Sequence, residues 1–89
     1  MDTGKAVPNN RCHECIATLT PFRGSNLRAE KFSDGTYRIY SYWTLMAEIV
    51  PGQPARYNAA KYSRTTTRHQ SYIVRGLTAA GLWNDAVSM

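Results

Sequence analysis

Between Thr36 and Val50 the chain reads TYRIYSYWTLMAEIV, a run in which β-branched and aromatic side chains predominate. This composition favours half-buried β-strands. Alternation gives each half of the run one apolar face, formed by Tyr37 and Ile39 in the first half and by Leu45, Ala47 and Ile49 in the second. We therefore predict two antiparallel strands that turn near Trp43. Because no Asn-Gly or Asp-Gly pair marks the turn, one continuous strand with a bulge at Trp43 is the alternative.

Downstream of this run, two prolines and a glycine in residues 51–54 end the strand pattern, since proline cannot donate to a β-ladder. A third short strand is expected within residues 55–62. The alanines of that segment leave the choice between strand and helix open.

The next segment carries the clearest helix signal in the chain. Ser63 is a suitable N-cap, and Gly81 supplies a C-terminal stop. Between them, the helical period brings one set of side chains onto a common stripe, consisting of Thr66, His69, Ile73, Leu77 and Ala80. We predict a helix over residues 64–80 that packs this stripe against the sheet.

The N-terminal third carries weaker signals. Residues 1–10 contain turn formers without apolar periodicity, so we predict a flexible lead-in there, then a single domain over residues 11–84 and a frayed C-terminus over residues 85–89. Residues 16–35 are expected to be irregular. The predicted fold class is α+β: a small antiparallel sheet from residues 36–62 packs against one C-terminal helix, with an irregular N-terminal segment wrapped around it. The predicted core consists of Phe32, Ile39, Leu45, Ile49, Ile73, Leu77 and Trp83.

Positive charge is concentrated in the C-terminal half. The 89 residues carry a formal net charge of +5. No acidic residue occurs between Glu48 and Asp85 in the sequence, whereas five cations do, namely Arg56, Lys61, Arg64, Arg68 and Arg75. Such an excess favours a polyanionic partner, such as nucleic acid, an acidic protein surface or anionic lipid.

The helix and the residues just before it form the predicted partner-binding surface. Its members are Lys61, Tyr62, Arg64, Arg68, Tyr72 and Arg75. Guanidinium groups bind phosphate oxygens in a forked geometry and aromatic rings stack on bases, so the pattern suits nucleic acid. Tyrosines of the predicted sheet would extend the surface, namely Tyr37, Tyr40, Tyr42 and Tyr57. A solvated cationic face without a specific ligand, or an acidic host protein as partner, are the alternatives.

Cys12 and Cys15 form a CxxC motif, whose spacing allows two thiolates to bind one Zn²⁺. A structural zinc needs four ligands, and the chain has no second CxxC. His69 could supply a third ligand, or the two chains of a homodimer could each contribute a pair. The other interpretations are two free cysteines, a disulfide or a redox dithiol. We predict no cofactor, with a zinc-stabilised interaction module as the alternative function.

His69 also raises the question of catalysis. An imidazole that titrates near neutrality can act as a general base, and Ser63, Thr65 and Thr66 are hydroxyls close to it in sequence. A small hydrolase or transferase would also need an orienting carboxylate, and the nearest acids in sequence are distant. We therefore predict that the protein is not an enzyme and that His69 is partly buried and hydrogen-bonded.

The chain has no run of about 18 apolar residues, the length that would span a bilayer, and its N-terminus lacks the apolar core of a signal peptide. We therefore expect no membrane association and an intracellular protein. The net charge leaves open whether its partner is a protein or a nucleic acid.

Three segments stand out in order along the chain: PFRGSNL at residues 21–27, YSY at residues 40–42 and YSRTTTRHQ at residues 62–70. Together they resemble a family of short proteins of unknown function encoded by bacteriophages, notably those of actinobacteria. The resemblance covers residues 21–77 and leaves the CxxC outside. It brings no assigned activity. It implies the cytoplasm of an infected bacterial host and an accessory protein that binds and modulates a host protein or nucleic acid.

Overall fold

The computed structural model describes residues 4–60 and 63–89. The strands are β1 (Lys5–Ala6), β2 (Phe22–Arg23), β3 (Leu27–Lys31), β4 (Tyr37–Ser41), β5 (Thr44–Ile49), β6 (Arg56–Tyr57) and β7 (Val87–Ser88). The helices are α1 (Cys12–Ala17), which follows a 3₁₀ turn at Asn9–Arg11, and α2 (Arg64–Ala79). Within the described residues, neither helix has the length and apolar character needed to cross a membrane.

The strands form one sheet, and their spatial order follows the chain from β1 to β7. Neighbours from β2 to β6 pair antiparallel, whereas β1 pairs with β2, and β6 with β7, in parallel. A parallel pair needs a crossover connection, and α1 and α2 supply the two crossovers. The helices contact each other and share one hydrophobic core with the sheet. They therefore cover the same face and leave the other face open.

The predicted α+β class and C-terminal helix are confirmed, but the rest of the fold differs. Within the described residues the sheet has seven strands and is mixed, where a small antiparallel sheet was predicted. The N-terminal segment is not irregular, since it contributes α1, β1, β2 and β3. These elements are short: α1 buries Cys12, Cys15 and Ile16, and β3 buries Leu27 and Ala29. Elements with so few apolar residues show no hydrophobic periodicity in the sequence. They are stabilised by packing against the rest of the fold.

Both ends of the described chain also pair with the sheet. β1 lies within the predicted lead-in of residues 1–10, and β7 lies within the predicted frayed end of residues 85–89. The Val7 N–H donates to the Arg23 carbonyl at 2.9 Å. The Val87 N–H donates to the Ala55 carbonyl at 2.8 Å. Residues 1–3 of the lead-in lie outside the described residues.

The strands β4, β5 and β6 occupy the three predicted strand segments, and β4 and β5 form a hairpin with Tyr42 and Trp43 as its two-residue turn. The alternative of one continuous strand is therefore wrong. Ile39 pairs with Ala47 and Tyr40 pairs with Leu45, so Met46 has no partner on β4 and forms a β-bulge. As a result Met46 and Ala47 are both buried, and Leu45 moves to the open face of the sheet. The predicted core role of Leu45 is wrong for this reason.

The helix α2 begins where the sequence predicts and ends one residue earlier. The Ser63 hydroxyl caps it by accepting a hydrogen bond from the Thr66 N–H at 3.2 Å. At the other end Gly81 has a φ of 76°, and the Leu82 N–H donates to the Leu77 carbonyl at 2.9 Å. This is a Schellman motif, whose left-handed residue favours glycine.

The core lies between the sheet and the two helices. Four of the predicted core residues are buried, namely Ile39, Ile49, Ile73 and Leu77. Trp83 is partly buried and packs edge-on against Tyr57, with 5.0 Å between the ring centroids. Phe32 lies outside the core, where the Arg38 guanidinium covers its ring at 5.0 Å.

Candidate functional site

The exposed side of α2 carries most of the residues predicted to bind a partner. Arg64, Arg68 and Arg75 are exposed, and Tyr72 is half-buried against the core. Helical spacing places all four on one side of α2, and we call them the α2 basic face. From Arg64 to Arg75 this face runs about 16 Å along the helix axis. The two other predicted residues, 61 and 62, lie outside the described residues.

The α2 basic face has no acidic partner among the described residues. The ion pairs found among all the described residues are Arg11–Glu14 at 3.0 Å, Arg28–Glu30 at 3.6 Å, Arg38–Glu48 at 2.8 Å and Arg56–Glu48 at 3.4 Å. None of them involves a residue of α2. The helix therefore presents three guanidinium groups whose hydrogen-bond donors are available to an external anion.

On the open face of the sheet, a row of alternating charges crosses four strands. Glu30, Arg38, Glu48 and Arg56 lie opposite one another from β3 to β6. Cross-strand neighbours of opposite charge attract and largely neutralise each other. Arg56, although it belongs to the cation-rich half of the sequence, is therefore balanced by Glu48.

A second row on the open face combines arginines with aromatic rings. Arg23, Arg28, Tyr40 and Leu45 align across β2 to β5. The guanidinium carbon of Arg28 lies 4.4 Å from the ring centroid of Tyr40 and 5.6 Å from that of Trp43. Trp43, in the hairpin turn, is 90% exposed. We call Arg23, Arg28, Tyr40 and Trp43 the tip cluster.

Sequence reasoning named Tyr40 but missed the other members of the tip cluster, and it misplaced two tyrosines. Tyr37 and Tyr57 are buried, so they cannot extend a binding surface. Tyr40 is half-buried and Tyr42 is exposed, which leaves these two available. A signal for Trp43 was present in the sequence, because a two-residue hairpin turn lies in solvent and a large aromatic residue there is left uncovered.

His69 is buried beneath the hairpin and has two polar partners. The first partner is Asn9, whose side-chain amide is oriented by the backbone of Ser25. Asn9 Oδ1 accepts a hydrogen bond from the Ser25 N–H, and Asn9 Nδ2 donates one to the Ser25 carbonyl, each at 2.8 Å. Asn9 Nδ2 also donates to His69 Nε2 at 3.4 Å, which puts the ring proton on Nδ1. That proton is donated to Ser41 Oγ at 2.7 Å. Burial, with the nearby charge of Arg68, lowers the pKa of His69, so the ring is neutral near pH 7.

This network does not use the hydroxyls predicted beside His69. Ser63 caps α2, and its hydroxyl also contacts Thr66 Oγ1 at 3.2 Å, while Thr65 is exposed. The hydroxyl that does contact the ring belongs to Ser41, and both Ser41 and His69 are no more than 2% exposed. A nucleophile and its base must reach a substrate, whereas a buried and satisfied pair is typical of a structural polar network.

The CxxC motif lies on α1, and both thiols point into the core. Cys12 and Cys15 are buried and free. Burial, with the neighbouring Cys15 thiol, raises the pKa of Cys12 to about 12, which disfavours the thiolate that a metal requires. Across residues 4–60 and 63–89, no three His, Cys, Asp or Glu side chains are grouped so as to hold a metal ion, and His69 does not join the cysteines in such a group. A zinc site shared with a second chain stays a prediction.

The fold and this surface define an α+β domain in which two crossover helices cover one face of a mixed sheet, and one of them presents arginines that form no ion pair with the acidic residues that the structure describes. The chain belongs to a family of unknown function, DUF8033, which it matches over residues 14–85. This match extends beyond the expected residues 21–77 at both ends, and it includes Cys15 but not Cys12. The expectation of a family without an assigned function is confirmed to that extent. No curated protein and no solved structure matches the chain.

Proposed function

We propose that this protein is a non-enzymatic nucleic-acid-binding protein whose α2 basic face contacts the phosphate backbone. One observation carries the proposal. Arg64, Arg68 and Arg75 are exposed and form no ion pair with the acidic residues that the structure describes, whereas Arg38 and Arg56 on the sheet are paired with a glutamate. Unpaired guanidinium groups keep their donors available, and each can bind two phosphate oxygens at once.

The length of the α2 basic face suits a polyanion. Double-stranded DNA carries one negative charge per about 1.7 Å of helix axis, so a face of about 16 Å meets several phosphates. The half-buried ring of Tyr72 lies among the arginines and adds an aromatic edge to the same surface. Contacts of this type position a protein on nucleic acid without reading its sequence, so we expect affinity with little sequence preference.

The biological setting of the proposal comes from the family resemblance. The resemblance implies a protein in the cytoplasm of an infected bacterium, and our proposal is that it binds and modulates a host macromolecule there. Coating or competing for nucleic acid would be such a modulation. A host protein that handles nucleic acid, or a defence protein, is the alternative target, because its acidic surface would present carboxylates in place of phosphates.

Fluorescence anisotropy with a labelled DNA duplex, repeated at several salt concentrations, tests the proposal. Each phosphate contact contributes about 0.9 to the slope of log affinity against log salt on duplex DNA. Replacement of Arg64, Arg68 or Arg75 by alanine should therefore lower the slope by about one contact in each case.

Arg56→Ala is the matched control for these variants. It also removes one charge from an exposed arginine, with a side chain 53% exposed, but this arginine is already paired with Glu48 at 3.4 Å. We expect Arg56→Ala to leave the salt slope nearly unchanged. If it acted like the α2 variants, or if affinity did not change with salt, the α2 basic face would not be the binding surface.

A further inference from the structure

We infer that the hairpin tip binds an unpaired base of single-stranded nucleic acid, which stacks on Trp43. The inference rests on the proposed function, because it assigns a second contact to the same class of ligand. The inference rests on different residues, because the tip cluster belongs to the sheet and its turns. No residue of α2 is part of that cluster.

The ring of Trp43 is left almost entirely in solvent. Its exposed fraction is 90%, whereas Trp83, the other tryptophan, packs against Tyr57. Tryptophan is enriched at binding interfaces, because its ring combines a large apolar face with an N–H donor. Every base has a π-face, so an open indole is a stacking platform that tolerates any base.

Arg28 holds the hairpin tip in place beside the indole, while its Nε pairs with Glu30 at 3.6 Å. Its Nη1 donates to the Tyr42 carbonyl at 3.1 Å, and its guanidinium contacts the rings of both Tyr40 and Trp43. Arg28 therefore anchors the turn and contacts one side of the indole before a ligand arrives. A base stacked on Trp43 would meet an aromatic face and a cation together, as in single-strand binding sites.

The turn that displays Trp43 has an unfavourable backbone conformation. Tyr42 has a φ of 55°, in the left-handed region, where the first position of a two-residue hairpin turn favours glycine. Asn26 in the facing turn has a φ of 57°, and its carbonyl accepts a hydrogen bond from the Tyr42 N–H at 2.8 Å. Strain that the surrounding structure holds in place is found at ligand sites. The strained backbone at Tyr42 therefore indicates that the exposed rings of Tyr42 and Trp43 serve binding as well as stability.

A cleft of about 310 Å³ adjoins the indole. This volume lies at the lower end of the range for small-molecule sites, so it suits a single nucleotide. Arg23 lines the cleft, is exposed and takes part in none of the ion pairs of the described residues, so it can bind a phosphate. The Asn26 amide, on the same cleft, can donate to or accept from the edge of a base.

The hairpin turn that carries Trp43 lies against the buried side of α2. The ring of Tyr42 lies 6.0 Å from that of His69, which is in the N-terminal half of α2 and follows Arg68 in the chain. In a duplex the bases are paired and stacked on each other, so the site selects single strands.

Binding of a labelled oligothymidine single strand and of a duplex of the same length tests the inference. Trp43→Ala should weaken single-strand binding by about 5- to 150-fold, the usual effect of removing one stacking ring, and should leave duplex binding unchanged. The salt slope should not change either, because no charge is removed. In the wild type the single strand should quench tryptophan fluorescence, and Trp43→Phe should abolish that quenching. Since Trp43 is 90% exposed, both variants should fold, which thermal unfolding verifies.

The outcomes separate the inference from the proposed function. If Trp43→Ala binds the single strand as tightly as the wild type, while the α2 arginine variants lose binding, the inference fails and the proposed function stands. If the wild type binds neither strand form, both fail. If Trp43 is needed only to retain a nuclease-resistant protein from a bacterial lysate, the tip cluster contacts a protein and the inference fails.

Discussion

Helices α1 and α2 cross at Gly76 with no room for a side chain. A Cβ atom at this position would lie 2.5 Å from Cβ of Ile16 and 2.7 Å from its Cγ2. Carbon atoms in favourable contact are about 3.5–4.0 Å apart, so both separations are too short. Because the Cβ of Ile16 is attached to the backbone, it cannot rotate away. Gly76→Ala must therefore push the two helices apart.

The expected magnitude combines two opposing effects. Overpacking of a core contact costs about 1–3 kcal/mol. Alanine is a better helix former than glycine by about 1 kcal/mol, which offsets part of that cost. We expect the free energy of unfolding to fall by about 1 kcal/mol and the Tm by about 4–8 °C, as is usual for that change in a domain of this size.

Urea denaturation of wild type and Gly76→Ala measures this effect. The exposed residue Ser71 on the same helix provides the control, since Ser71→Gly and Ser71→Ala differ in helix propensity without a packing change. Adding Ile16→Ala to Gly76→Ala removes Cγ2 and Cδ1 from the contact but keeps Cβ, so the double variant should lose slightly less stability than the sum of the single variants. If Gly76→Ala stabilised the protein as much as the Ser71 pair predicts, the described helix crossing would be refuted.

Three further predictions concern the buried groups and the helix cap. Because folding lowers the pKa of His69 from its usual 6.5, the unfolded chain binds more protons than the native protein just below that pH. The free energy of unfolding should therefore fall as the pH is lowered from 6.5 to 5. An equal pH dependence in His69→Gln would contradict this. Cys12 and Cys15 should resist iodoacetamide at pH 8 in the native protein and react in denaturant, since both are buried; fast native labelling that zinc prevents would favour the zinc site. Ser63→Ala should reduce stability in urea by about 0.5–2 kcal/mol through loss of the N-cap, and Ser63→Asp should retain it. Equal losses in these two variants would exclude the cap as the cause.

The parts of the fold that the sequence predicts correctly have strong local signals. The N-cap at Ser63, the stop at Gly81 and the apolar stripe between them specify α2 within one residue. The β-branched and aromatic run predicts the hairpin and its turn near Trp43. In each case neighbouring residues determine the conformation, so no knowledge of distant contacts is needed.

The parts that are missed depend on distant contacts. The strands β1, β2 and β7 have two residues each, and β1 and β7 pair in parallel with strands on the far side of a helical crossover. The bulge at Met46 reverses the side of Leu45, and no local rule identifies which residue will be extra. His69 likewise becomes buried and hydrogen-bonded to Ser41 and Asn9 only once the hairpin and the 3₁₀ turn lie against α2.

The candidate site shows the same division. The α2 basic face follows from helical spacing and can be read from the sequence. Its lack of acidic partners among the described residues cannot be read from the sequence, because only the structure shows that Glu48 pairs with Arg38 and Arg56 on the sheet. The tip cluster joins residues from three separate segments, so only the sheet register shows that Arg28 contacts both Tyr40 and Trp43.

Affinity capture from bacterial lysate, with and without nuclease, determines what the α2 basic face binds when wild type is compared with the Arg64/Arg68/Arg75 triple alanine variant. The α2 basic face predicts that wild type retains nucleic acid, that nuclease removes it and that the triple variant retains little. Arg56→Ala should behave like wild type. A single nuclease-resistant protein retained through the same arginines would contradict the claim and show that the α2 basic face binds a protein.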